Sequence, residues 1–195
     1  RSSDLEWTDD THLSVTLREG VKFHNGNDFN ADDVIYSLQL WASSASASNF
    51  AFLDLENTRK IDDYHVEIVL TQLDPTFMNT MGYLYTGFMI DKETWEANPD
   101  DMGTKPNGTG PYRLKEWVAS SYQLYEANEN YFLGEPKTKY INFREVQDQD
   151  KLNGVVTSTI DITDPSFNKD AIEAIKQANG GELTGDKIAT DTVDN

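Results

Sequence analysis

The stretch Leu17-Arg-Glu-Gly-Val-Lys-Phe-His-Asn-Gly-Asn-Asp-Phe-Asn-Ala-Asp-Asp-Val-Ile-Tyr-Ser-Leu38 changes period midway. On its N-terminal side Leu13, Val15 and Leu17 alternate with polar residues, the pattern of a half-buried strand, and Val21 and Phe23 resume an apolar pattern after Glu19-Gly20. Asn25-Gly26-Asn27-Asp28 then reads as a turn. Asn30 stands where a helix N-cap belongs, Asp33 falls at the third helical position, and Val34, Leu38 and Trp41 recur at helical spacing. A strand, a turn and a capped helix from Ala31 to about Trp41 follow from these residues alone.

Outward from this unit the same two periods recur. The Ser and Ala tract from Ala42 to Ser48, with the apolar Phe50, Phe52, Leu53 and Leu55 behind it, reads as a structured loop. Tyr64 to Leu70 alternates with Val66, Ile68 and Leu70 on one face, and the Asp62-Asp63 turn joins it to a preceding strand as a hairpin. Asp74-Pro75 predicts a short helix as N-cap and first position, with Phe77, Met81 and Leu84 as its buried stripe. A second short helix is expected after Asp91. Two prolines and three glycines between Asn98 and Gly110 place a subdomain boundary there, dividing the chain into 1–97 and 98–195.

Beyond it, Tyr112 to Trp117, Tyr122 to Ala127, Tyr140 to Val146 and Ile160 to Thr163 read as strands. Ala171, Ile172, Ile175 and Ala178 mark a helix stopped at Gly180-Gly181, and Ile188 to Val193 is a weak final strand. Helices and strands mix without strict alternation, so the class is α/β (mixed α+β) with mixed sheets.

Composition narrows the chemistry. The 195 residues carry 34 Asp and Glu against 16 Lys and Arg, a net charge of −18 spread along the chain. A polyanion would be repelled, which excludes nucleic acid and disfavours anionic lipid as partners. With 37% hydrophobic residues the chain can still build a core. The absence of cysteine removes disulfides, thiolate metal sites and thiol nucleophiles together. No apolar run reaches the roughly 18 residues of a membrane helix.

Catalytic motifs do not appear. His12, His24 and His65 are far apart and read as surface or structural residues, with no metal-ligand spacing among them. There is no nucleophile elbow, phosphate loop or dinucleotide fingerprint. Carboxylate pairs such as Asp148 with Asp150 or Asp161 with Asp164 leave an acidic hydrolase as an alternative, although so many acids produce such pairs on a solvated face. No cofactor is called for. Asn107-Gly108-Thr109 matches a glycosylation acceptor, and the glycines explain the same residues as a turn.

Leu17 to Leu38 resembles the signature of family-5 solute-binding proteins of ABC importers, "LREGVKFHDG" running into "TAEDVVFSL". Gly108-Thr-Gly-Pro-Tyr112, followed by Leu114, Trp117, Glu126-Ala-Asn128, Tyr131 and Lys137, is similar to that family's "GTGPY" through "ANPxYW". Ile61 to Ile68 and Gln147 to Ile162 fall in the family's order. There are departures: Phe132-Leu133-Gly134 replaces the usual Trp-Gly-Gly, Thr157 to Ile162 lacks the Gly before Glu-Ile-Asp, and Lys151 to Thr157 looks short of the usual helix.

The resemblance implies a type II periplasmic-binding-protein-like fold. Residues 1–97 would form the accessory subdomain and 98–195 part of lobe one, with the second lobe absent from this chain. It implies a non-enzymatic receptor, in the periplasm or on the cell surface as a lipoprotein, that captures a peptide or other small solute and delivers it to an ABC permease. Its only membrane attachment would be a lipid anchor outside this chain. Ligand would sit in an interlobe cleft lined from this chain by Asn49, Phe50, Thr163, Asp164 and Pro165. Tyr112, Val34, Leu38 and Trp41 are expected to be packing residues.

Overall fold

The computed structural model describes residues 3–82, 87–163, 169–178 and 180. Two compact units are present: Arg1–Trp117 with Gln123–Asn142, and Val118–Tyr122 with Phe143–Asn195. Within the first unit the chain before residue 98 is hydrogen bonded to residues 107 to 110.

The first unit is built on a four-stranded sheet of β1 (Ser3–Trp7), β2 (His12–Leu17), β4 (His65–Val69) and β3 (Arg59–Asp62), in that spatial order. Every pairing in it is antiparallel, so this sheet is not mixed. The register places Leu5 opposite Val15 and Val15 opposite Val66, with Leu13 opposite Ile68. Because side chains alternate across a strand, Leu13, Val15, Leu17, Val66 and Ile68 all turn inward, each no more than 5% exposed. Each such burial contributes about 1.5 to 3 kcal/mol.

Helix α1 (Ala31–Ser43) covers that sheet with Ala31, Val34 and Leu38. Its start is fixed twice. Asn30 Oδ1 accepts the Asp32 N–H at 2.8 Å while Asp33 Oδ2 accepts the Asn30 N–H at 2.9 Å, the reciprocal capping box implied by the residue spacing. The Ala31 N–H also donates to Asp63 O in the β3–β4 turn at 2.9 Å, which ties helix to hairpin. Between β2 and α1 the chain doubles back, the Phe29 N–H donating to Val21 O at 2.9 Å, and Phe23 and Phe29 meet edge to face at 5.9 Å inside the loop.

A 3₁₀ turn (Ala47–Phe50) follows α1. Helix α2 (Phe77–Gly82) starts later than Asp74-Pro75 suggests. Asp74 instead closes a tight turn, its Oδ1 accepting from Thr76 N and Oγ1 at 2.9 and 2.6 Å. Phe77 is buried as expected and meets Trp7 at 6.4 Å; Leu84 lies outside the described residues. Helix α3 (Lys92–Ala97) follows Asp91 and a 3₁₀ turn (Pro99–Gly103) succeeds it.

A second sheet orders β5 (Tyr112–Val118), β6 (Tyr122–Ala127) and β7 (Tyr140–Arg144) side by side. Helices α4 (Asp148–Val156) and α5 (Lys169–Ala178) come after it. Ile160 to Thr163 is not a strand. Ser158 takes φ 58° at the end of α4, and the Thr159 and Ile160 N–H groups both return to Gly154 O at 2.8 and 3.1 Å. Ile160 thereby packs on Gly154, where a side chain would collide with it, and Ile162 is left 90% exposed. The apolar alternation there closes a helix instead of pairing a strand. Gly180 has φ 75° past α5, as a C-terminal stop requires; Gly181 and Ile188 to Val193 lie outside the described residues.

Candidate functional site

The two sequence stretches that resemble the family's signatures meet in the first unit. His24 and Gly108, 84 residues apart, bond reciprocally: the His24 N–H donates to Gly108 O at 2.8 Å and the Gly108 N–H donates to His24 Nδ1 at 3.3 Å. His24 Nε2 bonds Gly110 O at 3.0 Å. Beside them Asn25 N–H donates to Asn107 Oδ1 at 3.1 Å. From the other side Asn128 Nδ2 reaches Gly110 O at 3.1 Å and the Asn128 N–H reaches Pro111 O at 2.8 Å. The Gly108 to Pro111 run is therefore a clasped loop whose Gly108, Gly110 and Pro111 carbonyls are hydrogen bonded before it enters β5.

Asp91 is the centre of the adjoining network. It is 2% exposed, and its Oδ2 accepts from Thr94 Oγ1 at 2.6 Å, Asn107 Nδ2 at 2.7 Å, Asn25 Nδ2 at 2.9 Å and Asn27 Nδ2 at 3.0 Å. Burial pushes this carboxyl up, but the Thr94, Asn25 and Asn27 bonds outweigh it and hold the group below the usual carboxylate range. Asp33 goes the other way. Burial raises it, and the two N–H groups it receives, from Lys92 and Asn30, only partly offset that. These groups lock α1, the turn at Asn25 to Asn27 and the start of α3 together.

Hollows bordered by described residues of this unit include the following. An apolar cavity of about 240 Å³ sits against Leu13, Val15, Val34, Met78, Met81 and Met89. An acidic groove of about 600 Å³ is bordered by Asp28, Asp32, Asp91, Glu93 and Glu96. A third, about 400 Å³, runs past His24, Asn107, Arg113, Lys115 and Trp117. Arg113 Nε and Lys115 Nζ on β5 both grip Glu126 of β6, at 2.8 and 3.1 Å; the Lys115 bond, despite some opposing burial and with help from Arg113, holds Glu126 below the usual range. Among the described residues no group of three or more His, Asp or Glu is arranged to hold a metal, and no helix is long and apolar enough to cross a membrane.

The residues expected to line a ligand cleft fall in the first unit, in the second unit and outside the described residues. Asn49 is exposed on the 3₁₀ turn. Phe50, one residue on, is 4% exposed and packs in the core. Thr163 is half-buried and belongs to the second unit, while Asp164 and Pro165 lie outside the described residues. Tyr112, expected to pack, is half-buried and sends its hydroxyl to Thr138 O at 2.9 Å. Of the carboxylate pairs, Asp148 and Asp150 sit in the exposed first turn of α4, with Lys151 on Asp148 at 2.7 Å. The Asp91 cage was not legible from sequence: its three amide donors are 64 and 66 residues away on one side and 16 on the other.

Residues 2–192 match the family described as bacterial extracellular solute-binding proteins, family 5 Middle. The chain belongs to this family. Oligopeptide-binding protein AppA of Bacillus subtilis is 31% identical over 141 residues, covering 69% of this chain and 26% of AppA. Glutathione-binding protein GsiB of Salmonella typhimurium is 32% identical over 141 residues, covering 69% of this chain and 27% of GsiB. Among solved structures, the ABC transporter substrate-binding protein CtaP of Listeria monocytogenes superimposes with a TM-score of 0.80 at 24% identity, over 91% of this chain and 38% of that one.

The family-5 chain thus has the periplasmic-binding-protein-like fold, and it spans about a quarter of the length of the curated relatives it matches. In this family-5 member the clasp of His24 on Gly108 and Gly110 is where the two resembling stretches touch. The carboxylate-dependent hydrolase finds no support: the family binds solutes, and the acid pairs proposed for it are either an exposed helix turn or reach beyond the described residues.

Proposed function

We propose that this chain is part of a non-enzymatic extracytoplasmic receptor of an ABC importer, taking peptides or similar small solutes and handing them to a membrane permease. The observation that carries the reading is the family match over residues 2–192, joined to relatives that bind oligopeptides and glutathione. Residues 1–97 correspond to the accessory subdomain and 98–195 to part of lobe one. Asn49, Phe50, Thr163, Asp164 and Pro165 supply this chain's share of the solute contacts, Phe50 also anchoring its turn in the core. Attachment to the membrane is by a lipid anchor.

A solute enclosed between lobes draws its affinity from burial on both sides. The isolated 195-residue chain therefore binds weakly. Titrating the ¹⁵N-labelled chain with glutathione and with short peptides up to millimolar concentration tests this: amide shifts centred on Asn49 and Thr163 are expected, with no chemical change in the solute. Perturbations confined to other residues overturn the lining assignment, submicromolar affinity by calorimetry overturns the need for a second lobe, and hydrolysis of the peptide overturns the receptor reading.

A further inference from the structure

The bonds around His24 define its protonation chemistry. Nδ1 accepts the Gly108 N–H, so it carries no proton, and Nε2 must then be the N–H that donates to Gly110 O. The neutral ring is complementary to the Gly108 to Gly110 backbone and the imidazolium is not. A second proton on Nδ1 would turn an acceptor into a donor aimed at the Gly108 N–H, while the His24 N–H bond to Gly108 O and the Nε2–H bond to Gly110 O would persist.

Burial and the neighbouring Arg113 cation disfavour the charged ring. Arg113 stands on β5 beside it, with Lys115 and Glu116 along the same groove and Lys105 on the segment before Asn107. Arg113 and Lys115 are shared with Glu126, and Lys105 with Asp101, which partly damps them. Asn25, Asn107 and Thr94 are neutral, and Asp91 spends its charge on their amides and hydroxyl. The groove of about 400 Å³ running past the ring gives solvent protons a route to it. Burial first, then Arg113, against the Gly110 bond, push the imidazole below its ordinary value.

We propose that His24 is a proton-operated latch: uptake of a second proton by its ring releases the Gly108 N–H and loosens the Gly108 to Pro111 run at its entry into β5, while the remaining bonds keep it attached. A neutral histidine favoured by the fold contributes stability that is full above its unfolded value of 6.5 and is lost as the pH falls below it. The device therefore acts on the acid side of neutrality, where an extracytoplasmic protein meets changing pH.

Nuclear magnetic resonance on the wild-type chain reads each step. Ring nitrogen correlations at neutral pH are expected to show His24 with the proton on Nε2. On acidification its midpoint should fall below that of free histidine, and Gly108 amide exchange, corrected for its intrinsic pH dependence, should accelerate on the order of tenfold at the same midpoint. The Ala127 amide, bonded to Lys139 O, should not change. Arg113→Gln should raise the His24 midpoint and carry the Gly108 transition with it. A proton on Nδ1 instead, a midpoint at or above the free value, or Gly108 protection flat through the titration would each overturn the latch. So would an Arg113→Gln midpoint that moves while the Gly108 transition stays put.

Discussion

Asn107 Nδ2 donates to Asp91 Oδ2 at 2.7 Å, with the carboxylate 2% exposed. This single contact links the glycine-rich approach to β5 with the N-cap of α3. Removing the acceptor takes a hydrogen bond from Asn25, Asn27, Thr94 and Asn107 at once. Asp91→Ala is expected to cost about 3 kcal/mol, and Asn107→Ala about 1 kcal/mol. Urea unfolding of both single variants and the double variant should give a coupling of at least about 0.5 kcal/mol; additive effects would mean the two side chains do not interact.

Acid should unfold the chain partly through this same group. Asp91 is held below the usual carboxylate value of 3.8, so its contribution is present above that value and is lost as the pH falls through the depressed folded one. The dependence of stability on pH below about 4 should flatten in Asp91→Asn relative to wild type. Equal slopes for the two proteins, measured by urea midpoints across that range, would place the acid sensitivity elsewhere.

The strand, turn and capped helix of Leu13 to Ser43 could be read from sequence because each depends on residues two to four apart: the capping box needs only Asn30 and Asp33. The β3–β4 hairpin was legible for the same reason. Ile160 to Thr163 misled because its alternation is real, yet the positive φ at Ser158 and the bare Gly154 turn the chain onto a helix end, a tertiary fact with no local period. β1 (Ser3–Trp7) has only Leu5 and Trp7 as apolar residues, too few to declare a strand until β2 supplies its partner. Asn49 and Phe50 were read as a pair, and backbone direction on the 3₁₀ turn sends one outward and the other into the core.

The α1 face that packs on the sheet should dominate the unit's stability. Leu38 is fully buried and Val34 3% exposed, so Leu38→Ala leaves a cavity that the surrounding β2 and β4 side chains cannot fill; a loss of about 2 to 5 kcal/mol is expected. Asn30→Ala, which removes only the cap acceptor for Asp32 N–H, should cost about 1 kcal/mol. Both are read from chemical denaturation of the purified chain. A Leu38→Ala loss no larger than that of the cap would contradict the packing described for this face.

Salt separates two electrostatic contributions of opposite sign. The ion pairs Lys60 with Asp32 and Asp63, Lys22 with Asp28, and Arg113 with Glu126 are weakened by screening, but their members are substantially exposed and each contributes at most about 1 kcal/mol. Against them stands a net charge of −18 on 195 residues, whose mutual repulsion opposes the compact state and is also relieved by screening. At about 1 M salt the screening length drops to roughly 3 Å, so the many unpaired repulsions are removed along with the few attractions. Repulsion has the larger sum, and the melting temperature should rise by several degrees between low salt and molar sodium chloride, with potassium chloride giving the same rise and glycerol at matched osmolality a smaller one. A melting temperature that falls with salt would mean that the exposed ion pairs, and not the excess of carboxylates, govern the surface energetics of this fold.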